Sequence, residues 1–153
     1  NVWNHTLLVV NEAARVRNKS KNPLAFMWAA MLHDIGKARK TRNRNGKITA
    51  YDHDKAGAVL ACEFLTQFAK EQAFIDEVSQ LIRYHMQILY VVNGLRFADI
   101  EGMKQHTDIN EVALLGLCDR LGRAGSRRKE EENNIRIFLQ ACNSFSANNK
   151  TRR

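Results

Sequence analysis

The chain has 153 residues, the size of one ordinary domain, and 24 Lys plus Arg against 16 Asp plus Glu give a formal charge of +8. With 44% apolar residues it can bury a sizeable core, which excludes intrinsic disorder. Its apolar run Leu24 to Leu32 is about half as long as a bilayer requires, which excludes a membrane span. Cys62, Cys118 and Cys142 are odd in number, far apart and free of CxxC spacing. They read as buried thiols of a reducing compartment, and with no signal peptide visible a cytoplasmic protein is expected. The chain opens at Asn1 without methionine, as a domain cut from a longer protein would. The positive charge favours phosphate-rich partners.

From Val2 to Val16 apolar residues recur at three and four, which predicts a helix. Asn22-Pro23 predicts the next start, with Asn as N-cap and Pro in the first turn where its missing N–H costs nothing. That apolar stretch runs to Asp34, and Gly36 is placed to end it as a C-terminal glycine would. Residues 37 to 51 are polar and basic, with a turn at Asn45-Gly46. Asp52 is placed to cap a third helix through Phe68, and Phe74 to Leu89 has the period of a fourth. Asn93-Gly94, between Tyr90-Val91-Val92 and Leu95-Arg96-Phe97, is the spot for a short hairpin. Asp108 and Glu111 make a capping-box pattern ahead of Val112 to Leu121. A last helix covers Glu130 to Asn143, followed by a frayed basic tail. The fold expected is all-α, one compact bundle of five to seven helices with room for one hairpin.

The segment Ala29-Ala30-Met31-Leu32-His33-Asp34-Ile35-Gly36-Lys37 carries the strongest chemical signal. A carboxylate and an imidazole at the end of an apolar helix are costly to bury unless something compensates, and a metal ion shared between them would. A lone His-Asp pair is ordinarily a surface cap, so other positions matter. His5 lies one turn from Leu8 and Val9 and so faces inward. His85 follows Leu81 and Ile82 by four and three, again on an inward face. His53 opens a helix, and Asp119 ends the apolar run Val-Ala-Leu-Leu-Gly-Leu-Cys. Four of the five histidines and two acids therefore stand in apolar or helix-start settings. His106, in a polar stretch, is set aside.

The order His5, His33-Asp34, His53, His85, Asp119 resembles that of the HD-domain metal-dependent phosphohydrolases. The surrounding words agree: Trp3-Asn4-His5-Thr6, His33-Asp34-Ile35-Gly36-Lys37, Lys55-Ala56-Gly57-Ala58 and Asp119-Arg120-Leu121-Gly122-Arg123. The likeness spans roughly residues 2 to 125, leaving 126 to 153 as a C-terminal helix and basic tail of the same domain. Within the superfamily it is similar to the HD domain that follows the nucleotidyltransferase part of bacterial CCA-adding tRNA enzymes. The resemblance implies an all-helical fold with His5, His33, Asp34 and Asp119 around a metal. His53 and His85 match the further histidines of members that hold two ions. Asp54 stands where the family often has Glu.

Imidazole and carboxylate ligands together suit Mn, Fe, Co, Ni or Zn, with one or two ions per chain. Such an ion lowers the pKa of bound water and polarises a phosphoryl oxygen, so hydrolysis of a phosphoester is expected. Asp34 is the candidate to orient or deprotonate the water. Lys37 is the candidate catalytic cation, and Lys37, Arg39, Arg120 and Arg123 are the candidate phosphate contacts. Aromatic residues are sparse in the basic stretch, with Tyr51 and Phe97 the only ones near it, so base stacking is not expected. The function this predicts is hydrolysis of nucleotide or RNA-end phosphoesters, of 2′,3′-cyclic phosphodiesterase, 2′-nucleotidase or phosphatase type, with tRNA as a possible partner. Two alternatives stand beside it: a free-standing nucleotidase or dinucleoside-polyphosphate hydrolase, and a non-catalytic tRNA-binding module with a structural metal. No feature of the sequence specifies an oligomeric state.

Overall fold

The computed structural model describes residues 1–146; the expected basic tail lies mostly outside them. Among the described residues the order is α1 (Val2–Val16), a 3-10 turn (Arg17–Lys19), α2 (Pro23–Leu32), α3 (Lys37–Lys40), β1 (Arg42–Arg44), β2 (Lys47–Thr49), α4 (His53–Thr66), α5 (Gln72–Tyr84), α6 (Gln87–Val92), α7 (Ile100–His106), α8 (Ile109–Leu121) and α9 (Arg128–Ser144). The bundle is all-α, with seven principal helices, two shorter ones and one small hairpin.

α2 sits at the centre, packed against α1, α5 and α8, and it can do so because Ala25, Ala29 and Ala30 let its neighbours approach. Phe26 on the same helix is fully buried, among Leu65 of α4, Ile75, Leu81 and Ile82 of α5, Leu115 of α8 and Phe138 of α9 in one apolar core. α4 and α5 form an antiparallel pair, and α9 closes the bundle over α8 and α6. Asn22 caps α2 as expected, its side-chain oxygen accepting from Ala25 N at 3.3 Å, with Pro23 in the first turn.

Several local expectations are corrected. The hairpin lies at Arg42–Thr49, in antiparallel register with Arg42 opposite Thr49 and with Asn45 and Gly46 both at positive φ. Asn93-Gly94 instead ends α6. Gly94 N–H bonds to Val91 O at 3.2 Å and Leu95 N–H to Tyr90 O at 2.9 Å, the double bond of a Schellman cap. An Asn-Gly pair serves either end, and here the apolar residues before it were already helical. The stretch Phe74 to Leu89 is not one helix, because the chain turns at His85 and Met86 between α5 and α6. Asp52 stands at the start of α4 with left-handed backbone, φ 59°, and its side chain caps nothing. Asp108 does cap α8, accepting from Asn110 N at 2.8 Å. Glu111 does not complete the box: it is buried and accepts from Ser20 Oγ and Lys21 N, both at 2.7 Å, clamping the α1–α2 connection to α8. α7, capped by Asp99 through Gly102 N at 3.0 Å, was not foreseen, since it buries only Met103.

Gly36 also acts differently from expectation. Its backbone is right-handed, φ −65°, so it is no left-handed cap. What it lacks is a side chain: a Cβ there would lie 2.0 Å from His53 O and 2.6 Å from Gly57 N. The turn after α2 can therefore press directly on the first turn of α4, which brings His33-Asp34 and His53 together.

Candidate metal centre

Five helices converge on one buried point. His5 comes from α1, His33 and Asp34 from the turn after α2, His53 from the first residue of α4, His85 from the turn after α5, and Asp119 from the last turn of α8. All but His5 are buried. The His5 and His33 rings lie 5.5 Å apart, His33 and His85 5.3 Å, and His53 and His85 5.2 Å.

The four rings share one orientation device. Nδ1–H of His33 donates to Ala30 O at 2.8 Å, that of His53 to Ala50 O at 2.9 Å, and that of His85 to Ile82 O at 2.6 Å. His5 Nδ1 donates to Gly122 O at 3.1 Å. A carbonyl can only accept, so every Nδ1 carries a proton and every Nε2 is turned inward. Ala30 and Ile82 lie in the last turns of α2 and α5, where helix carbonyls run short of backbone partners; Ile82 O also accepts from His85 N at 3.4 Å. A histidine just beyond a helix end satisfies that carbonyl and fixes its ring in one step.

The inward nitrogens meet two carboxylates. Asp34 Oδ2 is 3.3 Å from His33 Nε2 and 3.8 Å from His5 Nε2, while its Oδ1 is 3.4 Å from His53 Nε2 and 3.7 Å from His85 Nε2. Asp119 Oδ1 is 2.8 Å from His5 Nε2 and 3.4 Å from His33 Nε2. Two groups, His5-His33-Asp34 and Asp34-His53-His85, each have their ligand atoms within 4.8 Å of one another, and Asp34 belongs to both. Burial pushes the Asp34 carboxyl up, but the imidazoles of His33, His53 and His85 outweigh it and hold the group well below the usual carboxylate range. Asp119 behaves likewise, its burial outweighed by His33 and His5. For His33, burial acts downward, yet Asp119 and Asp34 raise its pKa to about 10.

A cation fits this donor set. His33 Nε2 is fully buried and makes no well-formed hydrogen bond, its neighbours being the carboxylate oxygens of Asp34 and Asp119 at 3.3 and 3.4 Å, so a ligand between them would satisfy it. His53 Nε2 and His85 Nε2 face each other at 3.3 Å, and with both Nδ1–H groups already donating to carbonyls, these two inward nitrogens share one space. A positive ion suits both places.

The basic residues separate by position. Lys37 Nζ donates to Asp34 Oδ2 at 3.0 Å, and Arg123 stands 3.9 Å from Asp119 Oδ1. Both line a cavity of about 540 Å³ that reaches His53. Arg120 lines it too, but its Nε and Nη2 donate to Glu131 of α9 at 3.1 and 3.3 Å, so much of its donor capacity is committed. Arg39 is exposed on α3 and does not line the cavity. Asp54 is buried outside the histidine cluster, 3.6 Å from Arg83. His106 stacks on Tyr84, its Nδ1 donating to Gly102 O at 2.7 Å. Tyr51 and Phe97, the two aromatics that the sequence places near the basic stretch, both line the cavity, and Tyr90 joins them from a third place in the chain.

An all-helical domain built around a histidine–aspartate centre is the class that fold and site define, and the HD domain profile matches residues 2–124; the chain belongs to the HD domain family, within the metal-dependent phosphohydrolase superfamily. Among curated proteins it is similar to the Multifunctional CCA protein of Actinobacillus pleuropneumoniae serotype 5b (strain L20), 52% identical over 81 residues. That stretch covers 53% of this chain and 19% of the relative. It is also similar to the A-adding tRNA nucleotidyltransferase of Deinococcus radiodurans, 32% identical over 65 residues, 41% of this chain and 15% of the relative. The matched stretch is thus less than a fifth of either relative's length. Among the described residues no helix is long and apolar enough to cross a membrane.

Proposed function

We propose that this domain hydrolyses phosphoesters of nucleotides or RNA ends with a divalent transition metal, Mn, Fe, Co, Ni or Zn. The observation that carries the reading is the common orientation of four imidazoles, every Nδ1–H on a backbone carbonyl and every Nε2 turned toward Asp34 or Asp119 or a neighbouring ring. A purely structural core would not need four rings locked in the same sense. His5, His33, Asp34 and Asp119 would hold one ion. The two oxygens of Asp34 face different histidine pairs, which supports a second ion held by His53 and His85. When bound, such an ion activates water at neutral pH and neutralises charge on a phosphoryl oxygen.

The remaining work falls to the chain. Asp34, held as a carboxylate far below its usual range, accepts a hydrogen bond well but takes up a proton poorly. We therefore assign it to orienting the water. Lys37 and Arg123, both lining the cavity, would hold the phosphoryl oxygens as charge builds on them. Arg120 adds charge to the same cavity, and Arg39 acts only at long range. One relative's name speaks of CCA and the other's of adding A and of tRNA, and on that basis a tRNA 3′ end is the polymeric substrate to try first. We read α9 as part of the same domain, since Phe138 and Cys142 share its core.

The test is elemental analysis beside hydrolysis of a nucleoside 2′,3′-cyclic phosphate and a nucleoside 2′-monophosphate. His33→Ala and Asp34→Ala should each lose bound metal and at least about 100-fold in turnover, because a directly coordinating group matters more than its supporting contacts. Full turnover in Asp34→Ala, or in protein stripped by a chelator, would overturn the assignment.

A further inference from the structure

The cavity beside the histidine centre has a second half that phosphate chemistry does not use. Its lining divides by chemistry. His53, Lys37, Arg120 and Arg123 are its charged and imidazole lining, and Tyr51, Tyr90, Phe97 and Leu89 are among the aromatic and apolar residues that also line it. An adjoining cavity of about 430 Å³ is lined by Tyr51, Asp52, Tyr90, Arg96 and Phe97, so the same three rings bound both spaces. We propose that Tyr51, Tyr90 and Phe97 form a nucleobase-stacking subsite next to the metal centre, so that the substrate is a phosphorylated nucleoside rather than a base-free phosphoester. The inference rests on the phosphohydrolase reading and specifies its substrate class.

Three observations support it. Tyr51 is 64% exposed and Phe97 47%, although each is large and apolar. Exposed rings on the wall of a cleft that ends in cations match an aromatic base joined to an anion. The rings are also held in place. Tyr90 and Phe97 sit 5.5 Å apart at 49°, and the Arg96 guanidinium lies 5.0 Å from the centre of the Phe97 ring. Buried Gln87 pins the segment carrying Phe97, donating from Nε2 to Phe97 O at 3.3 Å and accepting from Asp99 N at 2.7 Å. Finally, Tyr51 is tied to the metal side by the chain itself. Ala50 O receives the His53 Nδ1 proton, and Asp52 between them holds a left-handed backbone, φ 59°, that non-glycine residues adopt at a cost. This strained turn sets a ring and an inward-facing imidazole two residues apart, both lining the same cavity.

The reading is tested by the ratio of kcat/KM for a nucleoside 2′-monophosphate to that for glycerol 2-phosphate, which has no ring to stack. Phe97→Leu and Tyr51→Leu keep apolar volume at exposed positions and so leave the fold intact. Each should lower that ratio about tenfold, the scale of one base–aromatic stack, and Phe97→Tyr should restore it. Calorimetry adds a readout independent of turnover: a nucleoside monophosphate should bind the wild-type domain about tenfold tighter than ribose 5-phosphate, and Phe97→Leu should erase the difference. A short RNA ending in the same phosphorylated nucleoside should show the same loss. An unchanged ratio together with equal binding of the two phosphates would overturn the subsite while leaving the phosphohydrolase reading intact. A wild-type domain that hydrolyses neither ester would overturn the phosphohydrolase reading, and the calorimetric comparison would still decide the subsite.

Discussion

His33 has no exposed surface, one ring nitrogen on Ala30 O, and the other between Asp34 and Asp119. With no metal bound, the two carboxylates lift its pKa to about 10 against an ordinary 6.5, despite burial. A group raised in the folded state contributes stability that is complete below the unfolded pKa and is lost as pH climbs toward the folded one. Metal-free protein should therefore lose stability from about pH 6.5 to about pH 10, at most about 1.4 kcal/mol per pH unit. The urea midpoint measured with a chelator present checks this, and His33→Gln should flatten the slope. Metal-loaded protein should show no such loss, since an ion replaces the proton on Nε2. A midpoint independent of pH in the metal-free chain would contradict the arrangement. The residue types were legible from sequence: an imidazole beside an acid at the end of an apolar run asks for compensation. The tautomer was not, because Ala30 O becomes available only where the helix stops.

At the scale of elements, the centre depends on helix ends rather than helix faces. His33, His53 and His85 flank α2, α4 and α5, and the break after Tyr84 is what turns His85 inward. Periodicity placed the helices well but read Phe74 to Leu89 as continuous, since a short turn between two helices of similar apolar spacing leaves no trace in that spacing. The contact between the α2 turn and α4 is equally silent in the sequence, where Gly36 reads as an ordinary helix stop. Gly36→Ala should cost about 2 kcal/mol or more, because the added Cβ meets backbone rather than a movable side chain. The expected signature is a lower denaturant midpoint at unchanged m, with weaker metal binding because His53 is displaced from Asp34. Wild-type stability and metal content in that variant would show that the turn has room to move.

Across the whole molecule, the six candidate ligands come from α1, α2, α4, α5 and α8, so a bound ion would tie most of the bundle together. Since the unfolded chain cannot assemble such a site, metal at 100 times its Kd should stabilise the fold by about 2.7 kcal/mol. Thermal unfolding with and without a chelator measures this. A melting temperature indifferent to metal, in protein shown to contain it, would mean that the ion sits at the surface. The amino-acid sequence by itself determined the helical class and the identity of the histidine–aspartate set, because helix periodicity is local and metal coordination admits few residue types. Only the tertiary structure decided which basic residues face the cavity, drawing Arg120 toward Glu131 and leaving Arg39 outside. It alone assembled Tyr51, Tyr90 and Phe97 around one cavity. Those outcomes depend on contacts between helices far apart in the chain, and neither residue type nor spacing encodes which of many exposed cations or rings will meet.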